Sequence, residues 1–214
     1  MLSTLTLRLD VSCVNIRIVA KDSYHHGDLR SALVQAADAA VETGGPEAVS
    51  LRELAKALGV STAAPYRHFA DRRALLAEVA ALGFERLNRD YEAAARNSDP
   101  LAALRGTARA YLGLAFGRPG LFRLMFDSDL LGAGAPRRLT EAAGMAWSAL
   151  YAAVARADPQ ADTTTVKRRT ITGWSTLHGF IALVQGGRLK GFMTEPLTEA
   201  ELVDAVIEKT LAAD

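Results

Sequence analysis

Apolar residues recur at intervals of three and four along almost the whole chain from Leu29 onward. That spacing lines them up on one face of an α-helix, so the pattern predicts an all-α protein. The first twenty residues differ, because Leu5, Leu7 and Leu9 alternate with polar residues in the period of a β-strand that has no second strand to pair with. We therefore expect residues 1–23 to form a disordered or weakly docked extension, with a β-arm at an interface as the alternative.

The segment 24–73 carries the signals of three helices. Two glycines and a proline stop the first helix, since neither residue type continues a helix well. Ser50 and Glu53 have the spacing of a capping box and begin a short second helix, which Gly59 ends. A third helix is predicted to follow and to reach Phe69. Two short helices joined by a glycine-containing turn make a helix-turn-helix.

The remaining residues, 74–214, predict a second and larger helical domain, for a total of about nine helices and no internal repeat. Each predicted helix begins at a capping residue or a proline and ends near a glycine or a polar turn. The predicted helices begin after Asp71, at Pro100, after the breaks at 118–120 and 132–136, after Asp162, and at the Thr198–Glu201 capping box, and the last one ends near Ala212.

Composition narrows the class of protein. Half of the residues are hydrophobic, which is enough for a sizeable core, and no uncharged apolar run is long enough to span a membrane. The first twenty residues also lack the apolar stretch and cleavage site of a secretory signal, so we expect a soluble, cytoplasmic protein. The single cysteine, Cys13, excludes an intrachain disulfide and a zinc finger, and neither a metal nor a cofactor is expected.

The net charge of +1 does not indicate whether the protein binds nucleic acid, because phosphate binding depends on a local patch of positive charge and not on the total charge. Such a patch lies within residues 61–73, which contain three arginines and His68 but a single acidic residue, Asp71. The positive charge of the chain is therefore concentrated around the predicted third helix.

In a helix-turn-helix, the second helix enters the major groove with its first residues at the base edges. Pro65 fits the start of that helix, since a proline in the first turn lacks only a donor that would be unpaired anyway. The inner face would be Ala64 or Pro65 with Phe69. Small residues on the outer face could contact thymine methyl groups, while the hydroxyl, imidazole and guanidinium groups could reach phosphates. The candidate DNA-binding residues are Ser50, Ser61, Thr62, Ala63, Tyr66, Arg67, His68 and Arg72.

Spacing alone leaves a simpler alternative open, because any alanine-rich helical protein can contain a short polar helix with an exposed Tyr-Arg-His. The run from His26 to Phe84, including LRELAKALGVSTAAPYRHFADRRALL, resembles the DNA-binding domain of the TetR family of transcriptional regulators. The resemblance implies phosphate contacts at Tyr66, His68 and the basic residue after the phenylalanine. That residue is Arg72 here, where lysine is commoner in the family, and arginine keeps the charge.

Trp174, His178 and Gly179, in GWSTLHGFIAL, resemble the signature of a TetR-type C-terminal domain named for Trp, His and Gly. This resemblance implies a homodimer made by the last two helices of each subunit, with an effector pocket inside each regulatory domain. One stripe has spacing suited to a dimer seam, although intrachain core explains that spacing equally well. The stripe consists of Thr170, Trp174, Leu177, Ile181 and Val184.

Aromatic and soft side chains of the larger domain are candidates for the walls of an effector pocket, since small-molecule sites are mostly apolar with few polar groups. Most of them would also serve as ordinary core, and His178 beside Trp174 fits a hydrogen-bonded core histidine as well as a ligand contact. The candidates are Phe116, Phe122, Met125, Phe126, Trp147, Tyr151, Trp174 and His178.

No catalytic pattern is visible, so we do not expect an enzyme. The chain has no HExxH, GxSxG or phosphate-loop motif, and His68 and His178 are far apart in sequence. The predicted function is a ligand-responsive repressor that binds a palindromic DNA operator as a homodimer and releases it when a small molecule binds. The alternative is an all-α binding protein or enzyme of the same fold that does not use DNA.

Overall fold

The computed structural model describes residues 29–211, so the predicted N-terminal extension, residues 1–23, lies outside the described residues. Within them the protein is all-helical without a β-strand, which confirms the predicted fold class. Three short 3₁₀-helices connect the α-helices, at Pro46–Ala48, Pro65–Arg67 and Asp129–Leu131. The α-helices are α1 (Leu29–Gly44), α2 (Leu51–Ala57), α3 (Arg72–Ala95), α4 (Pro100–Gly117), α5 (Pro119–Phe126), α6 (Arg137–Ala157), α7 (Thr163–Gln185), α8 (Gly191–Thr194) and α9 (Glu199–Leu211).

The helix starts follow the predicted caps. The carboxylate of Asp71 accepts the backbone N–H of Ala74 across 2.7 Å, and Asp162 accepts that of Thr165 across the same distance. Thr198 and Glu201 form a reciprocal capping box, because each side chain accepts the backbone N–H of the other residue. These bonds satisfy N–H groups that have no partner inside the helix.

The predicted third helix is shorter than expected and is not an α-helix. Residues 61–64 form turns, and Pro65–Arg67 is a single turn of 3₁₀-helix. The cause is Pro65, which has no N–H to donate to the carbonyl of Ser61. The N–H of Ala64 takes that carbonyl instead, at 3.0 Å, and closes the tighter ring of a 3₁₀ turn.

The described residues form two compact units. The N-terminal unit contains residues 29–86 and 118–144, and the C-terminal unit contains residues 87–117 and 145–211. No helix among the described residues is long and apolar enough to cross a membrane.

In the N-terminal unit, α1 packs against α2 and α5. The guanidinium of Arg118, just before α5, donates to Asp38 at 2.8 Å and to Glu42 at 3.0 Å, both on α1. At Gly120 the two helices approach so closely that a Cβ would stand 2.3 Å from the carbonyl oxygen of Val41. Helix α5 is therefore fixed to α1 by charge-assisted hydrogen bonds and by close backbone packing.

In the C-terminal unit, α7 packs against α4 and α9. Thr170, Leu177 and Ile181 are buried within the subunit, while Trp174 and Val184 are half-buried. The sequence left two interpretations of this stripe, a dimer seam or intrachain core. In the structure it is mainly intrachain core.

Candidate functional site

The turn between α2 and the following residues fixes where the exposed segment begins. Gly59 has a φ of +68°, and the N–H of Val60 reaches back to the carbonyl of Ala55 across 3.0 Å. With the N–H of Gly59 bonded to Lys56, this is a Schellman ending, which needs a residue that tolerates the left-handed region. The chain therefore leaves α2 in a defined direction, as a helix-turn-helix requires.

We call residues 61–69 the recognition segment. Pro65 and Phe69 are its buried residues, and the guanidinium of Arg30 lies 5.1 Å from the centre of the Phe69 ring. Tyr66 is 56% exposed. The sequence-based division into an inner and an outer face is therefore correct. The exposed residues of the segment include Ser61, Thr62, Ala63, Tyr66, Arg67 and His68, whereas Ser50, the N-cap of α2, is half-buried.

The three arginines of this region have different surroundings. Arg67 is exposed, and its guanidinium makes no hydrogen bond or ion pair within residues 29–211, so it is available to a partner. Arg72 instead donates from Nε to the carbonyl of Val49 across 2.9 Å and from Nη2 to that of Pro46. Arg73 pairs with Asp129 at 2.8 Å. Arg72 thus secures the loop before α2 to the start of α3.

A cavity of about 300 Å³ lies within the C-terminal unit. Helices α4, α6, α7 and α9 supply most of its lining, with Tyr91 from α3. Burial of Tyr91 raises the pKa of its hydroxyl. The volume is at the lower end of the range for small-molecule sites, which makes this cavity the candidate effector site.

One wall of the cavity is organised by a hydrogen-bonded group of three side chains. The indole Nε1–H of Trp174 donates to the hydroxyl oxygen of Tyr111 across 2.9 Å, and that oxygen lies 2.8 Å from Nδ1 of His178. Trp147 packs edge-to-face against Trp174, with ring centroids 6.4 Å apart. Tyr111 was not among the sequence-based candidates, because nothing in the apolar pattern of α4 marks a hydroxyl whose partners come more than sixty positions later.

The structure divides the eight sequence-based pocket candidates between the two units. Trp174 lines the cavity, and Trp147 and His178 pack against its indole ring. Phe116 packs edge-to-face on Phe180, and Tyr151 lies half-buried on α6. The α5 candidates lie in the N-terminal unit, where Phe122 and Met125 are buried and Phe126 is half-buried with its ring against that of Phe122.

Two known protein families match the sequence, one in its N-terminal part and one in its C-terminal part. Residues 33–79 match the family described as bacterial regulatory proteins, tetR family. Residues 104–210 match the family described as tetracyclin repressor-like, C-terminal domain. The chain therefore belongs to the TetR family of DNA-binding transcriptional regulators, and the finer assignment to the Trp-His-Gly kind stays a prediction.

Solved structures support the same family. A protein of unknown function from Rhodococcus sp. RHA1 is 32% identical, with a TM-score of 0.75 over 89% of this chain and 97% of that one. The TetR family transcriptional regulator PfmR from Thermus thermophilus is 25% identical, with a TM-score of 0.60 over 84% of this chain and 96% of its own. The transcriptional regulator FadR from Bacillus subtilis, solved with stearoyl-CoA, is 13% identical and shares the fold, with a TM-score of 0.64 over 85% of this chain and 97% of its own. No curated protein matches the sequence.

Proposed function

We propose that the protein is a ligand-responsive repressor that acts in the cytoplasm, binds a palindromic DNA operator as a homodimer and releases it when a small molecule enters the cavity. In this proposal residues 24–73 read the operator, and residues 74–214 hold the effector and form the dimer. The observation that carries it is the outward face of the recognition segment, since Tyr66, Arg67 and His68 are exposed while Pro65 and Phe69 are buried.

The residues of this face would have separate tasks. Thr62 and Ala63 are small and exposed at the beginning of the segment, where a helix-turn-helix brings its residues to the base edges. Tyr66, Arg67 and His68 would contact phosphates, which sets affinity and orientation without reading sequence. Arg72 would act indirectly, by holding the loop before α2 through its bonds to Val49 and Pro46.

An operator that is palindromic requires two copies of the chain, and α7 offers a surface for the second copy. Ile171 is 52% exposed and Leu183 is 41% exposed, and Ser175 and Gly179 lie between them at intervals of four. A Cβ at Gly179 would meet nothing within 4 Å apart from its chain neighbours and the adjacent backbone of α7. Small residues between two exposed apolar ones permit close approach of a partner helix, so we propose this face, continued by α9, as the dimer contact.

Release by the effector requires that the effector bind more tightly to the conformation that does not fit DNA. A preference of about 1 to 3 kcal/mol is enough for regulation. FadR holds stearoyl-CoA on the same fold, which supports a small-molecule effector here without identifying it.

Selection of bound duplexes from random DNA tests the proposal. We expect an enriched inverted repeat and two chains per duplex in sedimentation. Tyr66→Phe should then weaken binding to every duplex alike, whereas Thr62→Val should change the preferred sequence. A protein that enriches no sequence and binds DNA at no salt concentration would support the alternative, an all-α binding protein or enzyme.

The dimer surface is tested separately by sedimentation of the free protein. Ile171→Glu should give a folded monomer with weakened operator binding, because the added charge would be buried against the partner. Ala152→Glu places the same charge on an exposed position of α6 and should leave the dimer intact. A monomeric wild-type protein that still binds the inverted repeat tightly would refute the assignment.

A further inference from the structure

We propose, on the basis of the regulatory role proposed above, that the cavity takes an anionic amphiphile, meaning an apolar chain that ends in an anionic group. The cavity is lined by three cations and one acid: Arg168, Arg169, Lys209 and Asp158. The carboxylate of Asp158 already accepts a hydrogen bond from Arg169, which holds the pKa of that carboxyl below its usual value. Asp158 is thus already paired with Arg169, and the lining as a whole carries more positive than negative charge.

The cations have unused donors. The Nε of Arg169 is buried and has no hydrogen-bond partner among the described residues. A buried donor without a partner is costly, so such a group in a native cavity wall calls for an acceptor beyond the described residues, and a bound anion would supply one. Arg168 and Lys209 are exposed and neither forms a salt bridge within residues 29–211, although the charge of Arg168 also acts on the carboxylate of Asp162. An anionic group bound in the cavity would offer an acceptor to these lining cations.

Four of the five threonines of the lining do not compete for the head group as donors, and the hydroxyl of Thr172 is the exception. Each of the four gives its hydroxyl proton to the carbonyl four residues earlier in its own helix: Thr107, Thr170, Thr176 and Thr210. Such back-bonding leaves the hydroxyl without a donor for a ligand. The strong donors of the lining are therefore its cations, with the hydroxyl of Thr172 as a weaker one.

The remaining wall suits an apolar chain. Leu104, Ala108 and Leu177 are buried lining residues, and Leu150 and Val154 add aliphatic surface from α6. The α7 lining extends from Arg168 to Leu177, which corresponds to about 13 Å along the helix axis. An elongated ligand with its charge near the start of α7 would place its apolar part along this wall.

A head-group series with one chain length tests the proposal in the full-length protein. Decanoate, decanoyl-CoA, 1-decanol and decyltrimethylammonium share the chain and differ in the head group. Binding is measured by calorimetry and by tryptophan fluorescence, because both tryptophans lie in one cluster and Trp174 lines the cavity. We expect at least one of the two anions to bind about tenfold or more tightly than the alcohol, and the cation to bind least. The stronger anion distinguishes a carboxylate from a coenzyme A thioester.

A double variant locates the head group. Arg168→Met combined with Lys209→Met should reduce the affinity for the preferred anion about tenfold or more and leave that for 1-decanol unchanged. Lys167→Met combined with Arg188→Met removes the same charge from exposed positions outside the cavity lining and should change neither affinity. Thermal unfolding of both variants checks that the fold persists.

Several results would overturn the proposal: equal affinity for all head groups, preference for the ammonium, no binding of either anion, or equal effects of the two double variants. Operator release is measured in parallel on the selected duplex. Anion binding in the cavity without operator release would support the ligand class and refute the ligand-responsive part of the proposed function. Release of the operator by a neutral ligand alone would support the ligand-responsive part of the proposed function and refute the anionic ligand class.

Discussion

Trp174 donates its indole N–H to the hydroxyl oxygen of Tyr111 across 2.9 Å, and this bond joins α7 to α4 at the wall of the cavity. The same oxygen lies 2.8 Å from Nδ1 of His178, one turn further along α7. One hydroxyl thus holds two side chains of the Trp-His-Gly segment in place. The sequence motif has a structural role here, whether or not its side chains also touch an effector.

Replacing Tyr111 with phenylalanine should therefore weaken the C-terminal unit. The change removes the oxygen that accepts the part-buried indole N–H of Trp174 and also bonds to His178, which costs about 1 to 3 kcal/mol. Urea unfolding followed by circular dichroism measures the loss, and tryptophan emission should shift as well. Tyr151→Phe is the control, because Tyr151 is half-buried and its hydroxyl makes no hydrogen bond within the described part of the chain. Equal stability of the two variants would contradict the role given to Tyr111.

Gly120 should tolerate no side chain. An added Cβ would stand 2.3 Å from the carbonyl oxygen of Val41 and 2.9 Å from the Cα of Glu42, so α5 would have to move away from α1. We expect Gly120→Ala to destabilise the N-terminal unit by about 1 to 3 kcal/mol. Gly144→Ala in α6 meets no atom within 4 Å and should stabilise by up to about 1 kcal/mol, since alanine favours helix. Thermal unfolding of both variants gives the comparison, and a Gly120→Ala variant as stable as the wild-type protein would argue against close α1–α5 packing.

Arg72→Met distinguishes an anchoring role from a phosphate contact. If Arg72 holds the loop through the carbonyls of Val49 and Pro46, the variant loses about 1 kcal/mol of unfolding free energy. The slope of log affinity for DNA against log salt concentration should then stay at its wild-type value. A shallower slope with unchanged stability would show instead that the guanidinium neutralises a phosphate.

Acid should destabilise the C-terminal unit. A hydrogen bond from Arg105 lowers the pKa of Glu208, and the backbone N–H of Thr198 lowers that of Glu201. Because the folded-state pKa lies below the unfolded value of about 4.3, the stabilisation is complete above that value and is lost as the pH falls through the folded-state pKa. Urea midpoints measured from neutral pH downward should fall in this range.

Glu208→Gln should reduce the pH dependence, since glutamine does not titrate. Glu92→Gln is the control, because Glu92 is exposed on α3 and forms no salt bridge within residues 29–211. A pH dependence that is the same in both variants would show that Glu208 contributes nothing to acid sensitivity.

The helix boundaries could be predicted because their causes are local in sequence. Asp71, Asp162 and the Thr198–Glu201 pair each bond to a backbone group three residues away, so the cap is visible from spacing alone. Pro65 shows the limit of that reasoning. Its position at the start of a helical turn was correct, yet its missing N–H also prevents the α-helical bond to Ser61, and the turn becomes 3₁₀.

The candidate sites could be predicted only in part, because apolar spacing indicates which side chains are buried but not which residues they pack against. Phe122 and Trp174 both lie in sequence segments with helical apolar spacing. Phe122 nevertheless packs within the N-terminal unit, whereas Trp174 lines the cavity. Arg72 was predicted from the family to meet phosphate, and its bonds to two backbone carbonyls depend on a loop more than twenty residues earlier. Tyr111 and Arg169 were missed for the same reason, since their roles arise from tertiary contacts.

The most direct test of the central claim compares wild-type protein with Arg67→Gln on the selected duplex at several salt concentrations. Arg67 is exposed in the recognition segment, and Arg89→Gln removes an exposed arginine of the C-terminal unit as the control. We predict weaker binding for Arg67→Gln and a salt slope that is shallower by about 2 for a dimer, one lost phosphate contact per subunit. Wild-type affinity and slope for Arg67→Gln would contradict the claim that the recognition segment binds DNA.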